Sequence, residues 1–341
     1  MTDEEKDLRA LLEEAGPRPP LHEPDLEAIR AAARTEWRER YASGRTRSRA
    51  ATGWWAAAAA VLLAAAALLW LRRTPAPPAA VDAASVERAT GGVFRTTENG
   101  ERQPLAADAA GRSLPSGAKL ETDSGGRLAL RMTGGASVRL DSGTRAELLS
   151  PSLVALERGG VYVDTGGPAA GGADVSVRTG AGLFRSIGTQ FEVRAEADGA
   201  VTRLMVREGR VRFERGRESL STEAGQALVV RGDGTVERDE TPVDGPEWDW
   251  VLASAPMFDI EGATVRKFLD WLVRERGWQL EIADPETAAL VDSVVLHGSI
   301  AHLTPAEAPD VVLPSSGLGY RVSRGKLVVF VPGKEPVRTP R

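Results

Sequence analysis

The sequence predicts a multi-domain chain: a short α-helical amino-terminal segment, one transmembrane helix, an all-β domain (sandwich or β-roll) and a small α+β module of β-α-β repeats at the carboxyl end. Three observations predict it. Residues Gly53 to Leu71 (GWWAAAAAVLLAAAALLWL) form a run of nineteen residues with neither charge nor proline. From about Thr90 to Arg231 apolar residues recur with a period of two, in stretches cut by glycine-rich turns. Beyond residue 256 the grammar changes and β and α patterns alternate. The expected boundaries are an amino-terminal segment 1–52, a span 53–71, a linker 72–89, a β domain 90–231, a hinge 232–255, the α+β module 256–332 and a tail 333–341.

The amino-terminal segment reads as two helices. Thr2 and Glu5 have capping-box spacing, Leu8, Leu11 and Leu12 make an i, i+3, i+4 stripe, and Gly16-Pro17 ends the run. A second stripe, Leu26, Ile29, Ala33, Trp37 and Tyr41, follows the proline-rich stretch Pro17 to Pro24. Neither stripe can bury its apolar face alone. Leu8, Leu11, Leu12, Ile29 and Trp37 are therefore candidate contacts to a partner protein by the helix-in-groove mode. Packing of the two helices on each other, or on the membrane surface, is the alternative.

As a helix the run 53–71 reaches roughly 28 Å, close to the roughly 30 Å of bilayer hydrocarbon, with Trp54, Trp55 and Trp70 at interfacial positions. Arg30, Arg34, Arg38, Arg40, Arg45, Arg47 and Arg49 precede it, whereas only Arg72, Arg73 and Arg88 follow closely, which predicts a cytoplasmic amino terminus. A cleaved signal peptide would have a shorter apolar core behind a brief basic region. Residues 74–86 (TPAPPAAVDAASV) read as a semi-extended spacer.

In the β domain, Leu128, Leu130 and Met132, then Val138 and Leu140, Val161 and Val163, Val175 and Val177, Leu204 and Val206, and Val211 and Phe213 mark short strands. Turn signals at Gly134-Gly135, Asp141-Ser142-Gly143, Gly159-Gly160 and Glu208-Gly209 separate them. Past the polar stretch Gly232 to Glu247, Phe258 and Ile260 suggest a strand, and Val265, Phe268, Leu269, Leu272 and Val273 a helix. Trp278, Leu280 and Ile282 suggest a strand, and Val294 to Ile300 another. Thr304 to Glu307 is a capping box with proline at the first helical position, and Tyr320 to Val331 closes as a hairpin. The expected order is β-α-β, β-α-β, with a strand pair last.

The net charge of −5 is spread without a basic block, which argues against direct nucleic-acid contact. With no cysteine there is neither disulfide nor thiolate metal site. His22, His297 and His302, the only histidines, come without a carboxylate cluster, and no nucleophile-elbow, zincin or phosphate-loop motif occurs. The chain reads as a non-enzyme that needs no cofactor.

Several segments together resemble the FecR family of transmembrane regulators, which couple an outer-membrane receptor to an extracytoplasmic-function sigma factor. They are Leu120-Glu-Thr122 with Leu128 to Leu140, Leu156-Glu-Arg-Gly-Gly-Val-Tyr162-Val-Asp164, Ile187-Gly188-Thr189-Gln-Phe191-Glu-Val193, Val206-Arg-Glu208-Gly209-Arg-Val211 and Ala224-Gly225-Gln226. Ala15 to Pro19, followed by a helix ending near Trp37, adds to the likeness. Phe258 to Val265 and His302 to Ala308 resemble the small module found at the carboxyl end of such sensors and at the start of secretins and signalling TonB-dependent receptors. There Pro309, at the fifth helical position, and Pro314 depart from the family pattern, so the second helix should be short or distorted.

The resemblance implies a single-pass protein of the bacterial inner membrane with periplasmic carboxyl-terminal domains. Its cytoplasmic segment would bind an extracytoplasmic-function sigma factor, and its outer region a TonB-dependent receptor's signalling domain. Proteolysis of the outer part, or a change of oligomeric state, would carry the signal across one helix. It also draws attention to Gly188-Thr189, where the threonine hydroxyl could attack the preceding carbonyl with Glu192 or Asp174 as base; such self-processing is set against Thr189 simply alternating along a core strand with Gly188 at a close backbone approach. The rival reading of the whole chain is an envelope structural or glycan-binding module anchored by one transmembrane helix.

Overall fold

The computed structural model describes residues 23–42 and 81–334, apart from 98, 106, 107, 167–173, 198, 257 and 302. The chain divides into two units, Met1–Pro78 and Ala79–Arg341. In the first, helix α1 (Glu23–Ala42) carries the second apolar stripe, and its Ile29 and Trp37 are both exposed, at 59% and 66%. Leu8, Leu11, Leu12 and the apolar run 53–71 lie outside the described residues. Among the described residues no helix is long and apolar enough to cross a membrane.

The second unit begins with a 15-stranded sheet that doubles over on itself. Its three longest strands each serve two layers. The first part of Leu153–Asp164 pairs with Arg145–Ser150 and Ser176–Arg178, and its second part with Ser137–Leu140 and Leu183–Ala195. Likewise Val201–Arg215 pairs first with Gln226–Arg231 and then with Glu218–Glu223. The corner between layers falls at glycines. Gly188 and Gly209, with φ of 63° and 76°, face each other across the ladder where its register shifts, and a Cβ on Gly209 would run into the Gly188 carbonyl. Between the layers lies one apolar core that includes Leu128, Leu130, Val161, Val163, Phe184, Phe191, Val193, Leu204, Val206 and Phe213.

Two segments expected to be connectors belong to this unit's ordered structure. Within the linker 72–89, Asp82–Thr90 is a strand paired with Arg127–Met132 and Ser113–Pro115. Its inward residues Ala83, Ala84, Val86 and Ala89 are small, so an alanine-rich composition that reads as spacer is what this narrow slot takes. Within the hinge 232–255, Val236–Glu240 pairs with Gln226–Arg231, then a 3-10 turn (Pro246–Trp248) leads into helix α2 (Asp249–Ser254). Trp248, Trp250 and Val251 are buried there, and a segment that buries two indoles is held in place.

The carboxyl-terminal module packs helices on a three-stranded sheet of order Gln279–Ile282, Lys326–Phe330, Gly319–Ser323, parallel in the first pairing and antiparallel in the second. Helix α3 (Val265–Arg276) starts at Thr264, whose hydroxyl accepts the Lys267 N–H, and stops at Gly277 with φ of 68°. Phe268, Leu269 and Leu272 on α3 are fully buried. The strands expected at Phe258 and Ile260 and at Val294 to Ile300 are irregular segments instead, joined to each other's neighbourhood by one bridge, Thr264 to Val295. Ile260, Leu296 and Ile300 are buried, so the alternation is real, but they serve as single anchors into the module's core without a ladder. Helix α4 (Pro285–Ser293), capped by Asp284, occupies a stretch to which the sequence pattern assigns no element.

Of the Thr304 capping box only one half forms: the Glu307 carboxylate accepts the Thr304 N–H at 2.8 Å and hydroxyl at 2.7 Å, but the Glu307 N–H goes to the Thr304 carbonyl and Thr304 does not cap the helix. The helix that follows, α5 (Ala308–Ser315), begins later than expected. Pro309 is thus its second residue, not its fifth, where no N–H is needed, and Pro314 stands one residue before its end.

Candidate functional site

Where the carboxyl-terminal module meets the sheet, the register sets two neighbouring rows of side chains. One row runs Ala129, Arg139, Tyr162, Glu192, Met205 and Ala227, each directly opposite the next on adjacent strands. The other runs Arg131, Ser137, Asp164, Gln190 and Glu208. Alternation along each strand points these residues away from the inner core. All but Arg131, which is exposed, and Glu208, which is half-buried, are nevertheless buried, because residues 241–256 and the end of α3 cover them.

Tyr162 meets Trp248 and Trp250 edge-on, with ring centroids 6.2 and 6.5 Å apart, and Met205, Ala227 and Val251 complete a small apolar cluster. Beside it, Arg139 and Glu275 form a two-pronged ion pair, both hydrogen bonds 2.6 Å, with side chains only 2% and 9% exposed. Arg139 also donates to the Val251 carbonyl at 3.0 Å. Burial alone would lower the Arg139 pKa; Glu275 outweighs it and holds the guanidinium above its ordinary value.

One residue earlier on α3, Arg274 grips Asp164 with two N–H groups and reaches Glu208 at 3.0 Å. Gln190 bridges from Asp164 to the Arg274 carbonyl at 3.0 and 3.2 Å. Burial works against the Asp164 carboxylate, but Arg274, the Gly166 N–H and Gln190 outweigh it and keep its pKa below the ordinary value. Arg207 donates to the Val243 carbonyl at 2.7 Å and the Glu275 carbonyl at 3.0 Å, with its guanidinium 4.9 Å from the Trp248 ring centroid. Gly277 makes this approach feasible, since a Cβ there would collide with Arg207 and the Val243 carbonyl. The site is a joint that fixes one module on another.

None of the candidate contacts named from sequence lies in this joint. Ile29 and Trp37 are on α1, and Leu8, Leu11 and Leu12 are outside the described residues. Gly188 and Thr189 lie at the sheet's corner. Thr189 is buried with its hydroxyl lacking a hydrogen-bond partner in the protein, while its N–H donates to the Thr165 hydroxyl at 2.8 Å. Glu192 faces the joint, paired with Arg194 at 2.7 Å and pushed up in pKa by burial, and Asp174 is exposed. His297 pairs with Glu261 at the surface, and His22 and His302 lie outside the described residues. Among the described residues no group of three or more histidines and carboxylates is placed to hold a metal ion.

The joint's residues had weak signals in the sequence. Two tryptophans in the polar run Pro246 to Trp250 mark a segment that must be covered, and Glu275 lies three and seven residues beyond Leu272 and Phe268 on the apolar stripe.

Residues 118–212 match the model of the FecR protein family. That match contains Arg139, Tyr162, Asp164, Glu192 and Arg207, the sheet's side of the joint, and four of the five segments that carry the resemblance. Over these residues the chain carries a FecR domain. No curated protein matches it. Two crystal structures of a candidate anti-sigma factor from Parabacteroides distasonis, at 2.50 and 1.65 Å resolution, align with 62% of this chain and 98% of theirs, at 18% identity and a TM-score of 0.34. A likeness that distant gives no residue-by-residue correspondence.

Proposed function

We propose that the chain is a single-pass signal transducer of the bacterial inner membrane, with residues 1–52 cytoplasmic, 53–71 in the bilayer, and the FecR domain and carboxyl-terminal module in the periplasm. The amino-terminal segment holds an extracytoplasmic-function sigma factor through Leu8, Leu11, Leu12, Ile29 and Trp37, and the outer module reads the signalling domain of a TonB-dependent receptor. The observation that carries this reading is a FecR domain on the same chain as an uncharged nineteen-residue run flanked by arginines. The exposure of Ile29 and Trp37 on α1 supports it, because both side chains are open to contact by a protein surface. No step requires catalysis.

The test is co-purification of the full chain with the sigma factor encoded beside it. Trp37→Ala should weaken capture about 30-fold or more, the loss of about 2 kcal/mol typical of an indole anchor. Because the chain has no native cysteine, single cysteines at Ser43 and at the exposed Asp239 report topology through a membrane-impermeant thiol reagent applied after the outer membrane is permeabilised. Labelling at 43 but not 239 would reverse the proposed orientation, and unchanged capture by both Trp37→Ala and Leu11→Asp would remove the stripes as the contact.

A further inference from the structure

The buried charged side chains of the described residues are Arg139, Asp141, Asp164, Glu192, Arg207 and Glu275. Five of them sit in ion pairs: Arg139 with Glu275, Asp141 with Arg127 and Arg194, Asp164 with Arg274, and Glu192 with Arg194. Arg207, only 5% exposed, has no carboxylate partner. Its two hydrogen bonds go to backbone carbonyls, and a guanidinium has more N–H groups than those two bonds use. A buried cation without a counter-charge is costly, and the carbonyl at the end of α3 offsets that only in part.

The same cleft, of about 350 Å³, holds a second such group. Arg276 stands with its guanidinium 5.0 Å from the Trp278 ring centroid, and its Nε is buried with no partner in the protein. Burial lowers its pKa; Asp249 and Tyr320 work the other way, and the charge of Arg207 adds to the lowering, so the two cations sense each other. Two guanidinium groups, each lying against a tryptophan, thus share one cleft, and neither forms an ion pair with the Asp244 and Asp249 that also line it.

We infer that this cleft is a binding site for a carboxylate group, held between Arg207 and Arg276. The cleft's balance of charge favours a monoanion. Arg207, Arg276 and Arg324 face Asp244 and Asp249, and Glu275 is neutralised by Arg139, which leaves one positive charge. A planar carboxylate also fits the fork of a guanidinium, and the cleft lies near the lower end of the roughly 300–1,000 Å³ of small-ligand sites. The acid can be a small molecule or the acidic side chain or terminus of a partner. Its walls come from the sheet (Arg207), the covering segment (Trp248), the end of α3 (Arg276) and the hairpin turn (Arg324), so an occupant ties all four together.

The experiment follows thermal unfolding of the full chain in detergent with acetate as the probe, against chloride of equal ionic strength and against inorganic phosphate. Acetate at about ten times its Kd should raise Tm by roughly 3–5 °C over chloride, with phosphate giving less. The rise should vanish in Arg276→Met, be reduced in Arg276→Lys, and persist in Arg212→Met, which removes an exposed arginine elsewhere on the sheet. No rise over chloride, or an equal rise in Arg276→Met, would overturn the site. A rise with phosphate larger than with acetate would overturn the choice of a carboxylate.

Discussion

Removing Arg139 or Glu275 one at a time tests whether the joint is held as its geometry indicates. In Arg139→Met the Glu275 carboxylate, 9% exposed, loses both 2.6 Å hydrogen bonds and stays beneath α3 without a counter-charge. Breaking a buried pair in this way costs about 3–5 kcal/mol. Glu275→Leu strands Arg139, left with the Val251 carbonyl alone, at a similar cost. The double variant Arg139→Met with Glu275→Leu removes both charges and puts two apolar chains of similar length in their place, which is often near neutral. With single-variant costs of that size and a near-neutral double variant, the coupling energy is about 6 kcal/mol or more in magnitude. Each 1.4 kcal/mol is tenfold in an equilibrium, so either single variant should raise the open fraction by two or more powers of ten. Limited proteolysis of the full chain within 241–256 reads that fraction when closing outpaces cleavage. Single-variant effects below about 1 kcal/mol, the range of exposed pairs, or a strictly additive double variant, would refute the reasoning.

Three further outcomes are expected. Asp164 has a depressed pKa in the fold, so its stabilising contribution is complete above its ordinary value of 3.8 and fades as pH falls through the folded value. Comparison of Tm against pH for the native chain and Asp164→Asn should show their difference shrinking only on that acid limb; a constant difference down to the acid end would contradict the Arg274 pairing. Leu269→Asp buries a carboxylate at a fully buried position of α3 and should unfold the carboxyl-terminal module by more than about 4 kcal/mol while the sheet's amides stay protected from exchange. Purified chain should remain intact at Gly188-Thr189 on long incubation; fragments meeting at residue 189, lost in Thr189→Ala and kept in Thr189→Ser, would show that the buried hydroxyl attacks its neighbour.

How far the fold could be read in the sequence depended on whether burial is one-sided. Period-two alternation marks Leu128, Leu130, Val138, Leu140, Val161 and Val163 correctly as an inner core, and the α3 stripe with its Thr264 cap and Gly277 stop is equally plain. The same alternation assigns Arg139, Glu192 and Asp164 to solvent, because a polar residue between apolar ones looks like an outer face. They face outward from the first core and inward to a second contact that only the tertiary fold creates. Composition misleads in the same sense at Asp82–Thr90, where alanines suggest a spacer but fill a tight slot, and at Pro246 to Ser254, where acidic residues and proline hide two buried tryptophans. The corner is a third case: Gly188 marks a close approach, yet that its neighbour across the ladder is Gly209 follows from register, which a single strand does not specify.

The chemistry of the joint says what it is built to do. An apolar contact such as that of Trp248, Trp250 and Tyr162 is attractive over many orientations, and would let a docked helix roll or slide. Arg274 and Glu275 are neighbours on α3, and so project about 100° apart around its axis, yet each meets a partner on a different row of one sheet: Asp164 on one, Arg139 on the other. Turning the helix by one residue position, or moving it by one row, breaks both pairs and leaves three buried charges and the part-buried Arg274 uncompensated. The ion pairs therefore select one docked geometry, while the tryptophans supply the adhesion. A joint of this kind resists gradual deformation and favours being either closed or open, which suits a unit that must present one defined surface until something competes for its charged groups.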